Sequence, residues 1–180
     1  MSSTTNFKSS EAVLLVWDVQ RGLVKRVFNE EEFLKSLRSA ITWARERKVP
    51  VIYTKITPFP KGFDPPHFTR RMQFSQEELE LQVSPGEGDV VINKNTWSAF
   101  VGTNLELLLR NSGRRVILIA GISTEVGVET TARHAYALGF LPVVLEDAVS
   151  SFNRDAHDRS LANLKSLLPV IRTADLDSIS

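Results

Sequence analysis

The sequence predicts a doubly wound α/β protein, a three-layer α/β/α sandwich around a mainly parallel sheet of five or six strands. Three observations carry that expectation. Short apolar runs alternate with amphipathic stretches along the chain. The runs are continuously apolar, the pattern of strands covered on both faces. The length of 180 residues fits a single domain, in which right-handed crossovers place helices on both sides of the sheet.

Taken in order, residues 12–17 (AVLLVW) read as a buried strand running into the polar Asp18 and Gln20. Residues 30–48 read as a helix, with Phe33, Leu34, Leu37, Ile41 and Ala44 recurring at three- and four-residue steps. Residues 49–54 form a second strand, with Pro50 tolerated at its start. The proline-rich stretch 56–88 is too long for a plain connection and is expected to be a lid or binding loop, with a helical turn over 76–81. A third strand over 89–93 runs into Lys94, and a short helix over 103–110 turns Leu105, Leu108 and Leu109 inward. Residues 115–120 are the fourth strand. A helix follows over 125–138, closed by Gly139, which suits a helix C-terminus. A fifth strand over 141–145, a helix over 155–167 and a short strand over 170–173 complete the chain. Residues 1–10 are expected to be flexible, and no repeat or linker divides the domain 1–180.

Composition narrows the function. The net charge is +1 with acidic and basic residues interspersed, so no basic face invites nucleic acid or a membrane surface. There is no cysteine, which excludes disulfides, Cys-ligated metals and a thiol nucleophile. The three histidines lack metal-ligand spacing, so neither metal nor other cofactor is expected. No signal-like segment opens the chain, and its apolar runs are too short to span a bilayer. The expected setting is soluble and cytoplasmic.

Ligands of doubly wound sheets bind at the carboxyl ends of the strands. The residues there are Asp18 and Gln20, Thr54, Lys94, Ile122 and Ser123, and Glu146 and Asp147. Asp18 and Lys94 are expected on neighbouring strands, where a carboxylate and an ammonium make either an acid–base pair or, respectively, a cap and a solvated charge. Gly127 lies in the first turn of the 125–138 helix, where glycine costs roughly 1 kcal/mol relative to alanine. It answers either a ligand or another backbone in close approach. Trp97 and Phe100 line a pocket or fill the core. His67, His134 and His157 are weaker candidates, as are Lys61, Arg70 and Arg71, which would matter only for an acidic substrate.

These residues together resemble the isochorismatase-like hydrolase superfamily, also called the cysteine hydrolases, from Val13 to about Thr173. The marks are Val-Trp-Asp-Val-Gln at 16–20, Lys94 with Trp-Ser-Ala-Phe-Val-Gly-Thr-Asn-Leu at 97–105, Gly121-Ile-Ser-Thr, Val-Gly-Val-Glu-Thr-Thr-Ala-Arg at 126–133 and Leu-Glu-Asp-Ala at 145–148. Most of that superfamily cleaves amides with an Asp–Lys–Cys triad. The resemblance makes Asp18 the Asp and Lys94 the Lys, and puts Gly127 where the Cys would stand. Without a thiol no acyl-enzyme forms by that route. The metal-binding cluster of nicotinamidases is replaced here by Thr54-Lys55-Ile56-Thr57-Pro58.

True isochorismatases also commonly carry Gly at that position and hydrolyse a vinyl ether, releasing pyruvate, with the Asp as general acid. The resemblance thus implies catalysis by Asp18 and Lys94 with room made by Gly127, and substrate contacts from Gln20, Trp97, Phe100, Ile122 and Ser123. It also implies a non-proline cis peptide at Ile122–Ser123, a small-molecule substrate and a homo-oligomer, dimer or tetramer. Two departures separate the chain from siderophore- and phenazine-pathway isochorismatases. Ser123-Thr124-Glu125 replaces their Tyr-Ala-His, and Thr96 replaces an Arg. The 121–133 run instead resembles a bacterial branch of small stand-alone proteins. The alternatives are a non-catalytic metabolite-binding or scaffold relative that lost its nucleophile, and an amidohydrolase using water activated by Asp18.

Overall fold

The computed structural model describes residues 7–67 and 73–180; Arg70 and Arg71 lie outside them. The elements are β1 (Ala12–Trp17), α1 (Arg21–Val24), α2 (Glu30–Glu46), β2 (Val51–Ile56), β3 (Val90–Lys94), α3 (Leu105–Asn111), β4 (Val116–Ile122), α4 (Glu129–Ala137), β5 (Leu141–Ser150), α5 (Arg154–Leu167) and β6 (Val170–Ile171). The six strands form one sheet in the order β3-β2-β1-β4-β5-β6, and every pairing is parallel.

The apolar pattern explains the layers. All six residues of β1 and all seven of β4 are buried, because both faces of these central strands are covered. Leu14 and Val16 join α2 residues Phe33, Leu37 and Ile41 in one core. Val13, Leu15 and Trp17 point the other way, into a core with α3, α4 and Leu164 of α5. Three glutamates in the first turn of α2 favour the positive end of that helix's dipole. The side chain of Asn153 accepts from Ala156 N–H at 3.0 Å and caps α5. Phe7 is buried in the first core, and Ser9 N–H donates to Ser180 O at 2.7 Å, which ties the described part of the N-terminal segment to the chain's end.

The order in which strands are added reverses between β1 and β4, since β2 and β3 lie on one side and β5 and β6 on the other. That topological switch opens a crevice at the strands' carboxyl ends. Asp18 follows β1 there with φ of 48°, a left-handed conformation that Asp tolerates better than most residues. Gly121 lies opposite with φ of 133°. A Cβ on Gly121 would stand 2.1 Å from Trp17 O, so only glycine lets the two strand ends approach.

The structure corrects three local expectations. β5 runs to Ser150 rather than ending at 145. Glu146 and Asp147 are therefore strand residues, one paired with Lys165 at 2.5 Å and the other accepting from Thr173 N–H and Oγ1–H. The helix after β4 begins with a π-helical turn, Thr124–Val128, before α4. Lys94 and Asp18 do not end neighbouring strands, because β2 lies between β1 and β3.

Gln20 fastens the 56–88 stretch to this edge. Its amide donates to Ile56 O (3.1 Å) and Leu79 O (2.8 Å) and accepts from Ile56 N–H (2.8 Å). Backbone bonds from Arg21 N–H to Glu80 O and from Gln82 N–H to Val19 O extend the clamp. Replacing Gln20 with Leu leaves the backbone groups of Ile56 and Leu79 unpaired in a partly buried place. It is expected to cost about 1–3 kcal/mol in urea unfolding and to speed limited proteolysis within 57–88.

Candidate active site

Three strands deliver one buried polar cluster. Asp18 and Lys94 are each 1% exposed. Lys94 Nζ donates to Asp18 Oδ2 at 2.6 Å and to Thr96 O at 3.0 Å. Thr54 of β2 fills the gap between them. Its hydroxyl donates to Asp18 Oδ1 at 2.6 Å and accepts from Asp18 N–H at 3.1 Å. Strands are spaced by about 4.8 Å, so two spacings separate β1 from β3, a span that the four-carbon Lys stem can bridge.

Burial dominates the electrostatics. Desolvation pushes the Asp18 carboxyl above its ordinary value, against the attraction of Lys94 and the hydrogen bonds from Lys94 and Thr54. The same burial pushes Lys94 below its ordinary value, against the pull of Asp18. Both shifts favour the uncharged form of the pair.

Trp17 covers this cluster. Its ring centroid lies 3.5 Å from Lys94 Nζ, and its Nε1–H donates to Thr131 Oγ1 at 2.8 Å. A Cβ on Gly127 would fall 1.9 Å from the indole's Cη2 and 2.1 Å from its Cζ3. The close approach that requires glycine at 127 is therefore that of an indole ring, neither of a ligand nor of another backbone.

The remaining predicted residues divide. The Ile122–Ser123 peptide is cis. Ser123 precedes the π-helical turn, where its carbonyl accepts from Val126 and Val128 N–H, and Ile122 is buried in the core. Phe100 stacks against Phe140 and meets His134 at a tilt, inside the second core. Trp97 is 60% exposed. The Gln20 amide is engaged with the 56–79 backbone. His134 Nδ1 and Ser98 Oγ are 2.8 Å apart, His157 Nδ1 and Thr124 Oγ1 are 2.7 Å apart, and His67 and Lys61 are exposed. Among the described residues, no group of three or more His, Asp and Glu is placed to hold a metal ion, and no helix is long and apolar enough to cross a membrane.

Sequence reasoning placed Asp18, Lys94 and Thr54 at strand ends but gave Trp17 no role. The signal was present as a large aromatic directly before the strand-end Asp, with a glycine where a side chain was due.

An isochorismatase domain model matches residues 12–175. The chain belongs to the isochorismatase family. The family protein YwoC of Bacillus subtilis is 28% identical over 170 residues, covering 89% of each chain. An isochorismatase family protein of Burkholderia thailandensis has a structure with a TM-score of 0.78 at 31% identity, over 94% of this chain and 95% of that one. A cysteine hydrolase of Pseudomonas syringae pv. phaseolicola shares the fold, with a TM-score of 0.87 at 21% identity over 99% of both chains.

Packing between Trp17 and Gly127 predicts a coupled pair. Gly127→Cys or Gly127→Ala alone is expected to destabilise by about 1–3 kcal/mol, as overpacking does. In the Trp17→Val background the same change should cost much less. A double-mutant cycle by chemical unfolding checks this, and additive effects would contradict the contact.

Proposed function

We propose that this isochorismatase-family chain is a hydrolase of a small molecule that uses Asp18 as a general acid and forms no covalent thiol intermediate. The observation that carries this proposal is the buried Asp18–Lys94 contact, in which desolvation raises the carboxyl's proton affinity. A general acid must hold its proton at the working pH, and a solvated Asp beside an ammonium would not. The absence of cysteine and the indole packed on Gly127 support a route without an acyl-enzyme.

For an isochorismate-type vinyl ether the steps balance. Asp18 gives its proton to the terminal methylene carbon, and the adjacent carbon becomes an oxocarbenium centre. Water adds there and loses its proton to Asp18. The resulting hemiketal breaks its C–O bond, releasing pyruvate and the ring alcohol. Lys94 holds Asp18 in place through their 2.6 Å contact.

A second reading, a non-catalytic metabolite-binding or scaffold relative, has one observation in its favour: Trp17 occupies the space above Gly127 and Lys94. Gly127→Cys alone does not separate the two, because the indole obstructs the new side chain.

The test is pyruvate release from isochorismate by the purified chain, expected for the native protein and reduced at least about 100-fold in Asp18→Asn, within the range of general acid catalysis. Release unaffected by the substitution would remove Asp18 from the mechanism, and no release would favour the second reading for this substrate. The pH dependence has a defined sign. The active form is the protonated acid, so kcat/KM should be level at low pH and fall as pH rises through an Asp18 pKa above the ordinary carboxylate value.

A further inference from the structure

We propose that Trp17 is a positioning residue that keeps water from Asp18 and Lys94, its indole standing where a side chain at 127 would otherwise stand. The proposal deepens the catalytic reading above and rests on Asp18 being the acid. Its basis is geometric. The ring lies within 2.3 Å of the ideal Cβ position of residue 127 at three of its carbons, so the indole occupies that volume. Its face covers Lys94 Nζ at 3.5 Å, and Trp17 itself is only 4% exposed.

The indole is also held in one orientation. Nε1–H donates to Thr131 Oγ1, which accepts from Ala99 N–H at 3.2 Å as well. Thr131 of α4 thereby joins both Trp17 and the 96–100 segment that follows Lys94. Neither the ring carbons nor the ring face offers Asp18 a hydrogen bond. The indole therefore dehydrates the carboxyl without bonding to it; its face also attracts the Lys94 ammonium at 3.5 Å, and the loss of water outweighs that attraction.

Among the groups acting on Asp18, Lys94 from β3 is the charged one and Thr54 from β2 the polar one. From α4's side the contacts run through Thr131 to Trp17, and His134 is bonded to Ser98. Desolvation is the largest influence on the Asp18 carboxyl, and the uncharged group covering the pair is the one whose removal admits water.

The experiment reads the Asp18 proton without substrate. Infrared titration of the protonated-carboxyl C=O stretch, with the Asp18→Asn spectrum subtracted, gives the carboxyl's midpoint in the full chain. Trp17→Val is expected to lower that midpoint by about one pH unit or more, a tenfold change in the protonation equilibrium. Trp17→Phe should fall between native and Val. Gly127→Ala, which pushes the ring away without deleting it, should shift the midpoint in the same direction. Midpoints unchanged in Trp17→Phe and Gly127→Ala, both folded by circular dichroism, would overturn the proposal even if Trp17→Val fails to fold.

The same variants separate this proposal from the catalytic one. Turnover lost in Asp18→Asn with an unmoved midpoint in the Trp17 variants overturns the role of Trp17 and leaves the acid standing. A lowered midpoint without turnover by any form supports Trp17 and tells against the activity.

Discussion

The contact between Lys94 and Asp18, 2.6 Å long between residues each 1% exposed, constrains the rest of the site. It fixes the ends of β1 and β3 relative to each other across β2, and Thr54 of β2 adds a second bond to the same carboxylate. Two charges removed from water cost several kcal/mol each unless the geometry and the other hydrogen bonds compensate. Among the described residues the partners of the Asp18 carboxylate come from β2 and β3, and Lys94 finds a further acceptor in Thr96 O. A pair so enclosed is pressed toward its neutral form, which is what an acid catalyst requires and a surface salt bridge does not supply.

Trp17 covers Lys94, and two glycines make room for Trp17. The Trp17 backbone presses on Gly121 and its ring on Gly127. Each glycine is explained by what lies against it, and together they let an indole lie at the switch point of the sheet. A thiol at 127 and this packing exclude one another, because the side chain and the ring would share one volume. The result is a buried carboxylate–amine pair beside an apolar ring packed on Gly127.

Much of this was legible in the sequence. Continuous apolar runs located the strands, since burial on both faces leaves no alternation to misread. Polar residues directly after those runs marked Asp18, Thr54 and Lys94. Strand order was not legible, because periodicity reports burial and not adjacency; hence Asp18 and Lys94 were expected side by side although β2 separates them. β5 was cut short at Leu145 because Glu146 and Asp147 resemble a strand end, whereas Lys165 and Thr173 neutralise or bond them within the strand. Gln20 was legible as a strand-end residue but not as a clamp on the 56–79 backbone. Only the structure shows its bonds to Ile56 and Leu79. Trp17 was read as core, and it is core, but its packing against Gly127 joins positions 110 residues apart.

The most direct measurement is neutron diffraction from a deuterium-exchanged crystal at neutral pH, locating the hydrogen between Lys94 Nζ and Asp18 Oδ2. A deuteron bound to the Asp18 carboxyl, with two on the Lys94 amine, is the arrangement that burial under Trp17 predicts. Three deuterons on Lys94 beside a bare Asp18 carboxylate would contradict it, because the pair would then be an ordinary ion pair and Asp18 no acid.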